Sequence, residues 1–233
     1  TILLDAADEI TISAAIDPTT VTLNADDDIT VNAAVVASEL ITVSAGEDGS
    51  GSFILGAAGS LETTDSGSDI TVTTGSTSGD ITLTGTTTAL DLVTMTTASG
   101  SLNGSGLVTS DTVDLNASSG IGNTTGITLS SSNITADTTI GDVEIANNLG
   151  TAVSVSSLTT GTGTISFDQS GGGDLSAVTV SASGAVALAN SAGAISLVGT
   201  VVGGSLDATA TGAITDGSNG DLAIAGLAEF TAG

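Results

Sequence analysis

A three-residue unit, apolar–polar–apolar, recurs from one end of the chain to the other. It stands as Ile10-Thr11-Ile12, Val21-Thr22-Leu23, Ile29-Thr30-Val31, Ile41-Thr42-Val43, Ile70-Thr71-Val72 and Ile81-Thr82-Leu83 in the first part. It returns as Val113-Asp114-Leu115, Ile127-Thr128-Leu129, Val143-Glu144-Ile145, Val153-Ser154-Val155, Ile165-Ser166-Phe167, Val186-Ala187-Leu188 and Ile195-Ser196-Leu197. A period of two places both apolar residues on one face and the residue between them on the other. Each unit therefore predicts a short strand with one buried face and one outward face, which in most units carries a hydroxyl. Many units follow a glycine and a small or acidic residue, as at Gly79-Asp80, Gly141-Asp142, Gly184-Ala185, Gly193-Ala194 and Gly220-Asp221. Glycine admits the backbone of a tight corner, and aspartate hydrogen-bonds turn backbone. No segment shows helical periodicity.

Strand starts fall about 10 residues apart, and every second start about 20. The pairs are Ile10 and Ile29, Val21 and Ile41, Leu61 and Ile81, Ile81 and Leu102, Ile165 and Val186, Val186 and Leu206, and Ile195 and Ile214. Strands at this spacing also suit a β-sandwich. The strands are too short for one, the period is too constant, and the aromatic residues that fill a sandwich core are nearly absent: Phe53, Phe167 and Phe230, with no Trp or Tyr. We expect an all-β chain: a right-handed parallel β-helix, a solenoid of about 11–12 coils with about 20 residues in each, forming a single domain over residues 1–233. Whether each coil carries two strands or three is left open by the pattern.

The corner-and-strand units Gly79-Asp80-Ile81-Thr82-Leu83 and Gly193-Ala194-Ile195-Ser196-Leu197 resemble the filamentous-haemagglutinin type of β-helix repeat, found in giant secreted surface proteins and adhesins. The resemblance extends over nearly the whole chain. It implies an extracellular rod at the cell surface, without secretion-domain or receptor-binding signatures in this segment. The chain starts in mid-pattern at Thr1-Ile2-Leu3-Leu4 and stops in mid-pattern at Phe230-Thr231-Ala232-Gly233, as expected for a segment of a longer repeat protein or a filament subunit.

Composition narrows the function. The chain carries 26 acidic residues, no Lys or Arg, no His and no Cys, for a formal charge of −26. Salt bridges between side chains, arginine clamps on phosphate, and electrostatic affinity for nucleic acid or anionic lipid are thereby excluded. So are disulfides, thiolate and imidazole metal sites, and triad-type nucleophiles. High charge of one sign can mean disorder, yet mean hydropathy is +0.45 and 39% of residues are apolar, enough to build a thin core. No apolar run approaches the roughly 20 residues that span a bilayer, so no membrane insertion is expected. Paired carboxylates could serve glycoside hydrolysis, but the aromatic sugar platforms are missing. Gly104-Ser105-Gly106 and Gly161-Thr162-Gly163 lack the rest of a phosphate loop. We expect no enzyme.

Carboxylates are the remaining candidates for chemistry. Asp8, Asp28, Asp48, Asp69, Asp91 and Asp111 recur at the coil period. If they stack one strand spacing apart, neighbours repel by roughly 0.9 kcal/mol even at the dielectric of water. Calcium, a hard ion that prefers oxygen ligands, would relieve such a row. Asp26, Asp27, Asp28, Glu47, Asp48 and Asp69 are the expected ligands, set against the plainer expectation that these are solvated corner residues. No cofactor other than calcium is expected. The threonines of Thr71–Thr74, Thr82–Thr88 and Thr94–Thr97 could form a hydroxyl array like those of ice-binding solenoids; ordinary β-propensity on a wet face is the plainer account. Sequons at Asn103, Asn116, Asn123 and Asn133 are no more numerous than Ser- and Thr-rich composition produces by chance. The expected function is structural: a filament, stalk or adhesin shaft, extended by end-to-end stacking or by further coils of the same chain. The alternative is a surface module binding glycan, a cell surface or ice.

Overall fold

A computed structural model describes residues 1–217 and 219–233. Its regular structure is all β, and the strands stack in parallel as a solenoid of about 11 turns. Each coil of the first half has three sides. The longest is formed by Ile2–Ala6, Thr20–Ala25, Leu40–Ala45, Asp69–Thr74 and Leu92–Thr97. The second is formed by Ile10–Ile12, Ile29–Val31, Phe53–Leu55, Ile81–Leu83 and Leu102–Asn103, and the third includes Ala34–Ala37, Ser60–Thr63 and Thr86–Thr88. Leu107–Ala117 and Ile127–Thr138 each run along the third side, through a corner, and into the first.

Stacking in register turns the apolar positions into columns. Val21, Ile41, Ile70, Val93, Val113 and Ile134 follow one another on successive coils and are all buried. The interior is narrow but admits aromatic rings where the neighbours allow. Phe53 lies between Ile29 and Ile81, and Phe167 between Ile145 and Leu188, both rings fully buried.

The cross-section is redrawn midway. In Val143–Asn148, Val143 bridges to Ile121 of the second side while Ile145 to Asn147 pair with Ile127 to Leu129 of the third. One strand now covers two former sides, and the corner between them is gone. A new corner opens within the first side. In Val153–Thr160 the buried residues are Val153, Val155, Leu158 and Thr160, so the alternation breaks at Ser156-Ser157, where the register also shifts. The break recurs beside Val178, and in the last coil the side has separated into Ile214–Asp216 and Asp221–Ile224. The perimeter is kept while its corners move.

Polar side chains seal one corner of this second half. Asn147, Gln169 and Asn190 are buried on successive coils. Asn147 Nδ2 donates to Gln169 Oε1 (2.7 Å) and to Ser131 O (3.0 Å), while its Oδ1 accepts from Ser131 N (3.0 Å). Gln169 Nε2 donates to the carbonyls of Leu149 and Ser170, and Asn190 Nδ2 to those of Gly173 and Ala194. The corner leaves main-chain carbonyls facing inward, and the amides satisfy them.

Candidate functional site

The expected calcium ligands fall in two different corners. Asp26, Asp27 and Asp28 follow Thr20–Ala25 at the corner between first and second sides. Glu47 and Asp48 occupy the same corner one coil on, where Glu47 N donates to Ala25 O (3.1 Å) and Gly46 N to Asp27 O (3.0 Å). Asp69 lies at the opposite end of the first side, where it opens Asp69–Thr74 and pairs with Leu40 and Leu92. Among the described residues, no three carboxylate side chains converge in a group that could hold a metal ion.

The evenly spaced aspartates do not form one row. Asp8, Asp28 and Asp48 belong to the first of these corners, and Asp91 and Asp111 to the other. Because Asp69 pairs with Leu92, Asp91 stands opposite Ser68 instead, its N–H donating to Ser68 O (3.3 Å). The coil between Leu40 and Asp69 is longer than its neighbours, so equal spacing in sequence slips out of register in space. The pairing of Leu61 with Ile81 slips for the same reason: Leu61 pairs with Thr87, and Ile81 with Phe53.

Among the described residues, four aspartates instead join coil to coil through a backbone N–H. Each stands directly before a strand or at its corner, and its Oδ1 accepts a backbone N–H from the next coil. Asp28 accepts from Ser52 (2.7 Å), Asp80 from Ser101 (2.7 Å), Asp142 from Thr164 (2.8 Å) and Asp174 from Ala194 (2.8 Å). Ser101 Oγ and Thr164 Oγ1 add a second bond to the same oxygens, each 2.9 Å. Gly-Asp pairs mark three of these positions in sequence, at Asp80, Asp142 and Asp174, but the partner is the next coil and not the aspartate's own turn.

A shallow groove on the second side is lined by Asp80, Thr82, Asn103 and Thr124, and its one carboxylate is the Asp80 group already held by Ser101. Another lies beside Asn116, Ser118 and Asp137. Asp137 Oδ1 there accepts from Ser157 Oγ (2.8 Å) and from Thr159 Oγ1.

The outward face of the first side is more regular than the sequence suggests. Thr22, Thr42, Thr71 and Thr94 form one column in unbroken register, and Asn24, Ser44, Thr73 and Thr96 form the column beside it. The columns are bounded by Asp5 on the first coil and by Asp114 on the sixth.

In the first and last coils described, some interior-facing residues are exposed. Leu4 continues the buried column of Leu23 yet is 37% exposed, and Phe230 continues that of Ala208 yet is 47% exposed. Leu222, paired with buried Val201, is 39% exposed.

These features define a parallel β-solenoid built of repeated coils. Comparison with protein families, with characterised proteins and with solved structures finds no match to the chain.

Proposed function

We propose that the chain is a non-catalytic structural solenoid, the shaft of a secreted surface protein of the filamentous-haemagglutinin kind, serving as stalk, filament or adhesin rod. One observation carries the reading: coils stack parallel and in register, so that Val21, Ile41, Ile70, Val93, Val113 and Ile134 form one continuous buried column along the rod. A parallel strand edge templates another strand, and a further coil of the same kind both pairs the edge and covers the column. A cross-section repeated coil after coil suits axial extension, whereas the sides carry carboxylates and hydroxyls. A net charge of −26 keeps neighbouring rods apart sideways. Absence of Lys and Arg leaves trypsin-like proteases no site, which suits material outside a cell.

Electron microscopy of the purified chain tests this. Rods joined end to end are expected, with particles shortened to single units by Phe230→Asp together with Leu222→Glu. Uniform single particles from the unsubstituted chain, at all concentrations, would refute axial extension.

A further inference from the structure

The geometry points to the paired threonine columns of the first side as a surface that binds ice. Nothing in the shaft reading requires these columns, and the inference stands independently of it. Across four coils the outward positions read Thr22 and Asn24, Thr42 and Ser44, Thr71 and Thr73, Thr94 and Thr96. Adjacent coils are separated by about 4.8 Å, and the two columns by about 6.7 Å, the length of two residues along a strand. The result is a two-dimensional lattice of hydroxyls, with one amide at Asn24 and methyl groups at the threonines, held rigid by the buried residues between them.

Three further observations single this surface out. Although the chain carries 26 acidic residues, the two columns contain none between Asp5 and Asp114. A charge within the lattice would hold its own disordered water shell; the nearest carboxylate on this face, Asp69, stands outside the two columns, in the flanking row of Thr20, Leu40, Asp69 and Leu92. The hydroxyls of Thr22, Thr42, Thr71 and Thr94 make no hydrogen bond within the protein among the described residues, whereas Thr73 Oγ1 reaches Ser44 Oγ (3.4 Å) in the column beside them. The first column is therefore free to bond an external lattice along its whole length. Finally, no aromatic ring lies on this face: Phe53 and Phe167 are buried, and Phe230 is on the end coil. A crystalline polysaccharide would be gripped by stacking on such rings. Ice needs no ring. It presents rows of oxygens at spacings comparable to those of the columns, and a rigid protein lattice meets it without losing side-chain freedom on contact.

Growth of single ice crystals in a solution of the chain reads the proposal directly. A gap between melting and freezing points, with faceted crystals, is expected. Thr71→Tyr and Thr94→Tyr should reduce the gap to the buffer value, since a ring protrudes from the lattice while suiting the strand. Thr30→Tyr, outward on the second side, should keep it, and circular dichroism verifies that all variants hold the same β content. No gap with the unsubstituted chain overturns the proposal. Equal loss in Thr30→Tyr overturns it too, as does adsorption to powdered cellulose or chitin without any effect on ice.

Discussion

The carboxylate of Asp142 accepts the backbone N–H of Thr164 at 2.8 Å and the hydroxyl of the same residue at 2.9 Å, bridging two successive coils. Asp80 makes the same pair of bonds with Ser101. In a chain without cationic side chains, these bonds use negative charge where salt bridges cannot be formed. Each lies at a corner, where the regular ladder is interrupted and a backbone N–H would otherwise point to water.

Asp142→Ala should therefore loosen one corner and leave the rest of the rod in place. Loss of two hydrogen bonds at about 0.5–1.5 kcal/mol each lowers local stability, because coils interact mainly with their neighbours. Amide exchange at Thr164 should accelerate while exchange at Ser101, under Asp80, stays unchanged. Equal acceleration at both would show that the aspartates do not act locally.

Gln169 offers a more severe test. It is fully buried, bonds the carbonyls of Leu149 and Ser170, and accepts from Asn147. Gln169→Leu keeps the volume but strands an amide donor and two carbonyls in the interior. Unsatisfied buried groups cost about 1–3 kcal/mol each, so the melting temperature should fall well below that of Asp142→Ala. Comparable melting of the two variants would mean that water replaces the amide at this corner.

Two glycines separate close approach from backbone conformation. Both Gly104 (φ 138°) and Gly67 (φ 76°) adopt positive φ. A Cβ at Gly104 would lie 1.9 Å from the carbonyl oxygen of Leu83 on the preceding coil, whereas one at Gly67 meets nothing within 4 Å. Gly67→Ala should cost on the order of 1 kcal/mol through its backbone alone. Gly104→Ala must also push two coils apart, and should abolish pairing of Leu102 with Ile81 and Ile121. Denaturation of the two variants side by side measures the difference.

Much of this fold was legible because alternation and period act on every coil alike. Ile10 does stack on Ile29, Val21 on Ile41, Ile165 on Val186 and Ile195 on Ile214. The longer coil between Leu40 and Asp69 was not, since its extra residues lie in corners that carry no apolar signal. Nor was the migration of corners after Thr138. It depends on where alternation breaks, and Ser156-Ser157 is an unremarkable pair in a chain rich in serine. The amide column had a visible trace, an Asn or Gln that continues the alternation after two inward apolar residues: Val143, Ile145 and Asn147; Ile165, Phe167 and Gln169; Val186, Leu188 and Asn190. The threonine columns were visible as composition, but their unbroken register required the pairing of Thr42 with Thr71 across the longest coil.

Ions should stabilise the rod through screening and not through chelation. Asp26, Asp27 and Asp28 share a corner with Glu47 and Asp48 on the next coil, while Asp69 lies across the side from them. Like charges at that corner repel, and dissolved salt weakens repulsion between exposed charges over a Debye length of about 10 Å at 0.1 M. Raising sodium chloride should therefore raise the melting temperature steadily, and calcium chloride should do the same with no saturable step at micromolar concentration. A chelator added at constant ionic strength should leave the curve in place. A saturable gain from micromolar calcium, lost on chelation and lost again in Asp27→Asn with Asp48→Asn, would instead establish an ordered ion between these two coils.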